Sequence, residues 1–134
     1  MESSDNHRPQ ALVIESCAAE GYVLVRLPLT LHHEALQWIF NSAVSMAKRD
    51  NVNNAFIDAR GVEEMLTDWP ACVFGNASQI FRDHHIRCAI VAIPRHSWLL
   101  KFIENVAINR GVSMRIFGKQ EEAVAWLRTN NPPA

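Results

Sequence analysis

Apolar and polar positions along the chain fall into two periodicities that alternate from the first ordered-looking segment onward. Ala11-Leu12-Val13-Ile14-Glu15-Ser16-Cys17 and Gly21-Tyr22-Val23-Leu24-Val25-Arg26-Leu27 are β-rich runs separated by Ala18-Ala19-Glu20. That spacing predicts a hairpin with Gly21 in or beside its turn. Ala35, Leu36, Ile39, Phe40, Ala43, Val44 and Ala47 then recur at helical spacing, with Thr30 as the expected N-cap of a helix starting at Leu31 and Lys48 and Arg49 at its C-terminal end. The short apolar run Asn54–Asp58 reads as an interior parallel strand ending in Asp58-Ala59-Arg60-Gly61.

A loop is expected to continue to Asp68, which would cap a second helix carrying Trp69 and Pro70 in its first turn and Val73, Phe74, Ala77, Ile80 and Phe81 on its inner face. Gly75 weakens that helix without ending it. Cys88–Ile93 is apolar throughout, the pattern of a strand covered on both faces, and Pro94 is expected to end it. Ser97 is the expected cap of a third helix that turns Leu99, Phe102, Ile103, Val106 and Ala107 inward and stops at Arg110-Gly111. Val112–Phe117 and Lys119–Leu127 close the series as a strand and a helix, and the prolines of the 130–134 tail cannot extend that helix.

The resulting order is β-β-α-β-α-β-α-β-α. Parallel crossovers are overwhelmingly right-handed, so the fold class expected is an α/β protein in which a right-handed β/α superhelix carries a five-stranded mixed sheet with helices packed on it. A doubly wound, flavodoxin-like sheet is the rival arrangement. At 134 residues the chain suits one domain, expected over 11–129 between a polar tail (1–10) and the short C-terminal tail.

Composition narrows the function classes. The 13 basic and 14 acidic residues form no long run of one sign, which argues against nucleic-acid binding, and no stretch approaches the length of a membrane span. The N-terminus lacks the apolar core of a signal peptide, and Cys17, Cys72 and Cys88 lack CxxC spacing, so buried free thiols in a reducing cytoplasm are expected. The adjacent pairs His32-His33 and His84-His85 diverge on a helix and do not suit a metal site, and no catalytic motif stands out, so no metal, cofactor or catalytic residue is assigned.

The element order, the Phe56-Ile57-Asp58-Ala59-Arg60-Gly61 turn and the ending Arg115-Ile116-Phe117-Gly118-Lys119-Gln120-Glu121-Glu122-Ala123-Val124-Ala125-Trp126-Leu127 together resemble the bacterial SpoIIAA-like, or STAS-like, family of small stand-alone domains. The resemblance spans about Ala11 to Leu127 and implies a non-enzymatic regulatory or protein-interaction module. Anti-sigma-factor antagonists of that family are phosphorylated on a serine in an Asp-Ser-Ser-Gly turn. Asp58 and Gly61 match its outer positions, but Ala59 and Arg60 stand where the serines would be, so that switch has no hydroxyl to use.

Loops at the carboxyl ends of parallel strands converge on one rim, and helix N-termini there suit anions. The candidate binding residues on that rim are Asp58, Arg60, Gly61, Thr67, Trp69, Arg95, His96, Ser97, Trp98 and Lys119. Each also has a plain structural role open to it: Asp58 can pair with Arg60 or Arg95, Ser97 can serve only as a cap, and the tryptophans can pack locally. The expected partner is another protein; the alternative is a small anionic or apolar ligand, including a lipid, as in lipid-carrying domains of similar fold. A homodimer through an edge strand or exposed aromatics is a further option.

Overall fold

A computed structural model describes residues 11–62, 64–65 and 71–129. Strand β1 (Val13–Cys17) and β2 (Tyr22–Arg26) form the hairpin, joined by a 3-10 turn over Ala18–Glu20. Gly21 closes that turn at φ 92°, a left-handed conformation that a side chain would oppose. Then follow β3 (Thr30–Leu31), α1 (His33–Arg49), β4 (Asn54–Asp58), β5 (Glu64–Met65), α2 (Ala71–Asp83), β6 (Arg87–Val91), α3 (Pro94–Asn109), β7 (Met114–Phe117) and α4 (Gln120–Thr129).

The main sheet has the order β1-β2-β4-β6-β7. Only β1 is antiparallel to its neighbour; β2, β4, β6 and β7 run parallel in chain order. A strand order that advances in one direction, with the crossover helices α1, α2 and α3 side by side on one face, is the β/α superhelix expected from the sequence. A doubly wound sheet would reverse direction and place crossovers on both faces.

Side-chain alternation divides the core in two. Val23, Val25, Ala55, Ile57, Cys88 and Ile90 point toward α1–α3 and pack with Leu36, Ile39, Phe40, Phe81, Leu100 and Ile103. Phe40 and Phe81 lock α1 to α2 with ring centroids 4.9 Å apart, a contact of the kind that contributes about 0.5–1.5 kcal/mol beyond area burial. Phe56, Ala89 and Val91 point the other way, where, among the described helices, α4 covers them through Ala123 and Leu127.

Three sequence expectations are corrected. Thr30 is not the helix cap: Thr30 and Leu31 pair in parallel with Glu64 and Met65 as a separate two-stranded sheet, and α1 starts two residues later behind an extended His32. Ser97 is not a cap either, because α3 begins at Pro94, whose fixed φ and missing N–H suit the first helical position. For the same reason strand β6 is shorter than Cys88–Ile93: it runs from Arg87 to Val91, and Ile93 takes the cap position; β6 is interior but lies next to the edge strand, and β4 is the central one. Thr67, the Asp68 cap, Trp69 and both tails lie outside the described residues.

Gly75 and Gly111 have specific tasks. A Cβ on Gly75 would stand 2.7 Å from Cγ1 of Val106 and 3.1 Å from a guanidinium nitrogen of Arg110, so its absence lets α2 approach α3 closely. Gly111 ends α3 at φ 87°, as a C′ glycine does. The corresponding left-handed positions after α1 and α2 are filled by Asn51 and His85, each at φ 58°. Cys88 is fully buried, which pushes its thiol pKa well up, Cys17 is half-buried, and both are free thiols.

Candidate functional site

The rim at the carboxyl ends of β2, β4 and β6 is built around Asp58. The strand delivers this residue at its last position, in register with Arg26 on one side and Val91 on the other. Its backbone is engaged as well: the Asp58 carbonyl accepts from Leu27 N–H at 3.0 Å, and Ala59 N–H donates to the Val91 carbonyl at 2.8 Å. The residue is only 6% exposed.

Arg60 folds back over it. The Arg60 backbone N–H and Nε both donate to Oδ1 at 3.0 Å, and Nη2 donates to Oδ2 at 3.0 Å. Arg26 adds a second cation, with Nε 3.5 Å from Oδ2. Burial acts to raise the Asp58 carboxyl, but the bonds from Arg60 and the charges of Arg60 and Arg26 outweigh it and hold the group below its ordinary value. Arg60 is raised by its bond to Asp58 and stays charged. Nη2 of Arg60 also donates to Oε1 of Gln120 at 3.1 Å, which ties the turn to the first residue of α4.

Of the candidates read from the sequence, Asp58 and Arg60 are thus in direct contact, with Gly61 in the same turn, closed by Val62 N–H to the Ala59 carbonyl at 3.2 Å. Lys119 is exposed beside Gln120, and its carbonyl accepts from Ala123 N–H at the start of α4. Arg95 and Trp98 are exposed on the first turns of α3, where the backbone of His96 and Ser97 also lies. Asp58 pairs with Arg60 and Arg26, and Trp98 is 74% exposed. Among the described residues no three His, Cys, Asp or Glu side chains gather, and nothing in the rim points to catalysis. No helix among them is long and apolar enough to cross a membrane.

No protein-family model matches the chain, and no curated protein does. Among solved structures it is similar to the protein TM1081, determined by NMR, with a TM-score of 0.57 over 91% of this chain and 89% of that one. At 15% identity the likeness is one of fold.

Two charged residues that shape the surroundings were not singled out in the sequence. Arg87 is 6% exposed; its guanidinium stacks 3.9 Å from the Trp126 ring centroid and reaches the carbonyls of Trp126 and Leu127 at 3.3 and 3.4 Å. It therefore receives the C-terminal end of α4, as Arg60 meets its beginning. Glu104 is 4% exposed and spans α3 and β7. The available signals were a cation opening an otherwise apolar strand and a carboxylate between Ile103 and Ala107 on an inward helix face.

Proposed function

We propose that the chain is a non-enzymatic regulatory or protein-interaction module of the STAS-like type, whose partner docks on the Asp58–Gly61 turn and the adjoining rim. The observation that carries this reading is the state of Arg60. Its side chain is 39% exposed, yet two parallel bonds to a buried carboxylate and a third to Gln120 fix its orientation. A guanidinium held in place before contact loses little rotamer entropy on binding, and its Nη1 edge can receive a carboxylate or carbonyl of a partner. Ala59, at the first of the two positions where the family's antagonists carry serines, is buried at 2% exposure, so the turn supports constitutive docking and offers no phosphorylatable hydroxyl.

Retention of a specific protein by the immobilised chain, with loss on Arg60→Glu and preservation of the wild-type near-ultraviolet circular dichroism, is the expected result. Equal retention by wild type and Arg60→Glu would remove the turn from the interface.

A further inference from the structure

The two faces of the sheet hold their covers unequally. Among the described residues, 26 buried apolar side chains form the core shared with α1–α3, whereas five, Phe56, Ala89, Val91, Ala123 and Leu127, form the core under α4. α4 supplies two of those five; its Val124 and Trp126 are half-buried. Few buried apolar groups are the mark of an element that opens locally at less cost than the whole fold. Topology points the same way. Each of α1, α2 and α3 joins two parallel strands, but α4 follows β7 and no described strand comes after it, so its departure pulls no strand from the sheet. Gly118 and Lys119 join it to β7, and a Cβ on Gly118 would meet nothing within 4 Å, which leaves the joint unobstructed.

Polar holds at its two ends supplement this small core. At the first residue, Oε1 of Gln120 accepts from Nη2 of Arg60 at 3.1 Å. At the other end, the Arg87 guanidinium reaches the carbonyls of Trp126 and Leu127 and stacks on the Trp126 ring. The further pair Arg128–Glu20, at 2.6 Å, is more than half exposed on both sides and contributes little in water.

From this asymmetry we infer that α4 is a detachable latch: it leaves the sheet as a unit while the α1–α3 layer stays folded, and its closure supplies the third bond that orients Arg60. Opening uncovers Phe56, Ala89 and Val91 and releases Gln120 from Arg60 in the same event. The two ends of the sheet are thereby coupled, because the helix that Arg60 meets at its start is the one that Arg87 receives at its end. Coupling is reciprocal: whatever engages Arg60 in its closed orientation suppresses the opening, and an open helix weakens that engagement. This last consequence rests on the docking reading above, whereas the opening itself does not.

Two neighbouring positions on β6 provide the test. Cys88 faces α1–α3 and Ala89 faces α4, and both are 0% exposed. In the full chain carrying Ala89→Cys, the initial rates of iodoacetamide labelling at the two positions, resolved by fragment mass spectrometry, report which cover opens. The introduced thiol should react about tenfold or more faster than Cys88, with a weaker urea dependence, because a local opening exposes less surface than global unfolding. Adding Gln120→Ala should speed it by a further three- to tenfold or about that. Gly75→Ala, which disturbs the α2–α3 contact, should quicken Cys88 and leave the introduced thiol unchanged. Hydrogen exchange of the unsubstituted chain, free of any effect of the added sulfur on packing, should show the α4 amides less protected than those of α1. Equal rates with equal urea dependence, or equal protection of α4 and α1, would overturn the inference, and indifference to Gln120→Ala would overturn its link to Arg60. Every readout is made on the chain alone, so failure to retain a partner would count against the docking reading and not against the latch.

Discussion

The carboxylate of Glu104 on α3 accepts the N–H of Ile116 on β7 at 2.9 Å, occupying a position that a neighbouring strand would otherwise fill. β7 is an edge of the sheet, and every second residue of an edge strand turns its backbone groups outward. Lys101, 2.7 Å from the other carboxylate oxygen, compensates the charge.

Truncating this contact leaves a backbone donor without its partner. Glu104→Ala should destabilise the chain by about 1–3 kcal/mol, whereas Glu104→Gln keeps an acceptor and should lose less. Urea unfolding of the three proteins measures the difference, and equal stabilities would remove the structural role assigned to Glu104.

Asp58 makes stability depend on acid in a predictable direction. Its folded pKa lies below its unfolded one, so the contribution is complete above the unfolded value of about 3.9 and is lost as pH falls through the lower, folded value. Asp58→Asn should therefore cost stability at neutral pH and progressively less as the solution is acidified below pH ~4. A difference that stays constant from neutral pH to strongly acidic solution would contradict the ion-pair assignment.

Gly75→Ala should destabilise, although alanine is the better helix former by about 1 kcal/mol. The new Cβ meets Val106 at 2.7 Å, and a β-branched side chain has little freedom to withdraw. Overpacking of this kind costs about 1–3 kcal/mol. Val106→Ala in the same chain should recover part of the loss, so a thermal-unfolding double-mutant cycle should show coupling; additive effects would show that α2 and α3 are not in contact there.

His85 supplies the converse case. At φ 58° it pays a left-handed backbone cost that glycine avoids, and His85→Gly should raise stability by about 1 kcal/mol. A lower thermal midpoint would mean that the imidazole makes a contact worth more than the backbone strain.

Elements whose causes are local were legible in the chain. Alternation over Val13–Arg26 with Gly21 at the turn predicts the hairpin, the apolar run through Cys88–Val91 marks an interior strand, and Gly111 marks the end of α3. Thr30 misled because the backbone there is claimed by a ladder to Glu64, far along the chain, which a local capping rule does not see. Ser97 misled because Pro94 satisfies both a strand-end and a helix-start signal. In the rim, Asp58 and Arg60 are two residues apart and could be paired on paper. Arg26, Gln120, Arg87 and Glu104 act on partners brought near only by the strand order, and no periodicity encodes that.

The one-helix cover on the second face of the sheet sets an order for events during synthesis. Phe56, Ala89 and Val91, which α4 shields, all precede Gln120–Thr129 in the chain. While translation proceeds, the layer formed by α1, α2 and α3 can close as each crossover is made, but the cover that the described residues give the opposite face waits until the residues of α4 have left the ribosome. A ten-residue helix is marginal alone, and in the folded chain Arg60 holds its start and Arg87 its end. The nascent chain thus carries an apolar surface that α4 has yet to cover, and it is during that interval that a chaperone would find most to hold.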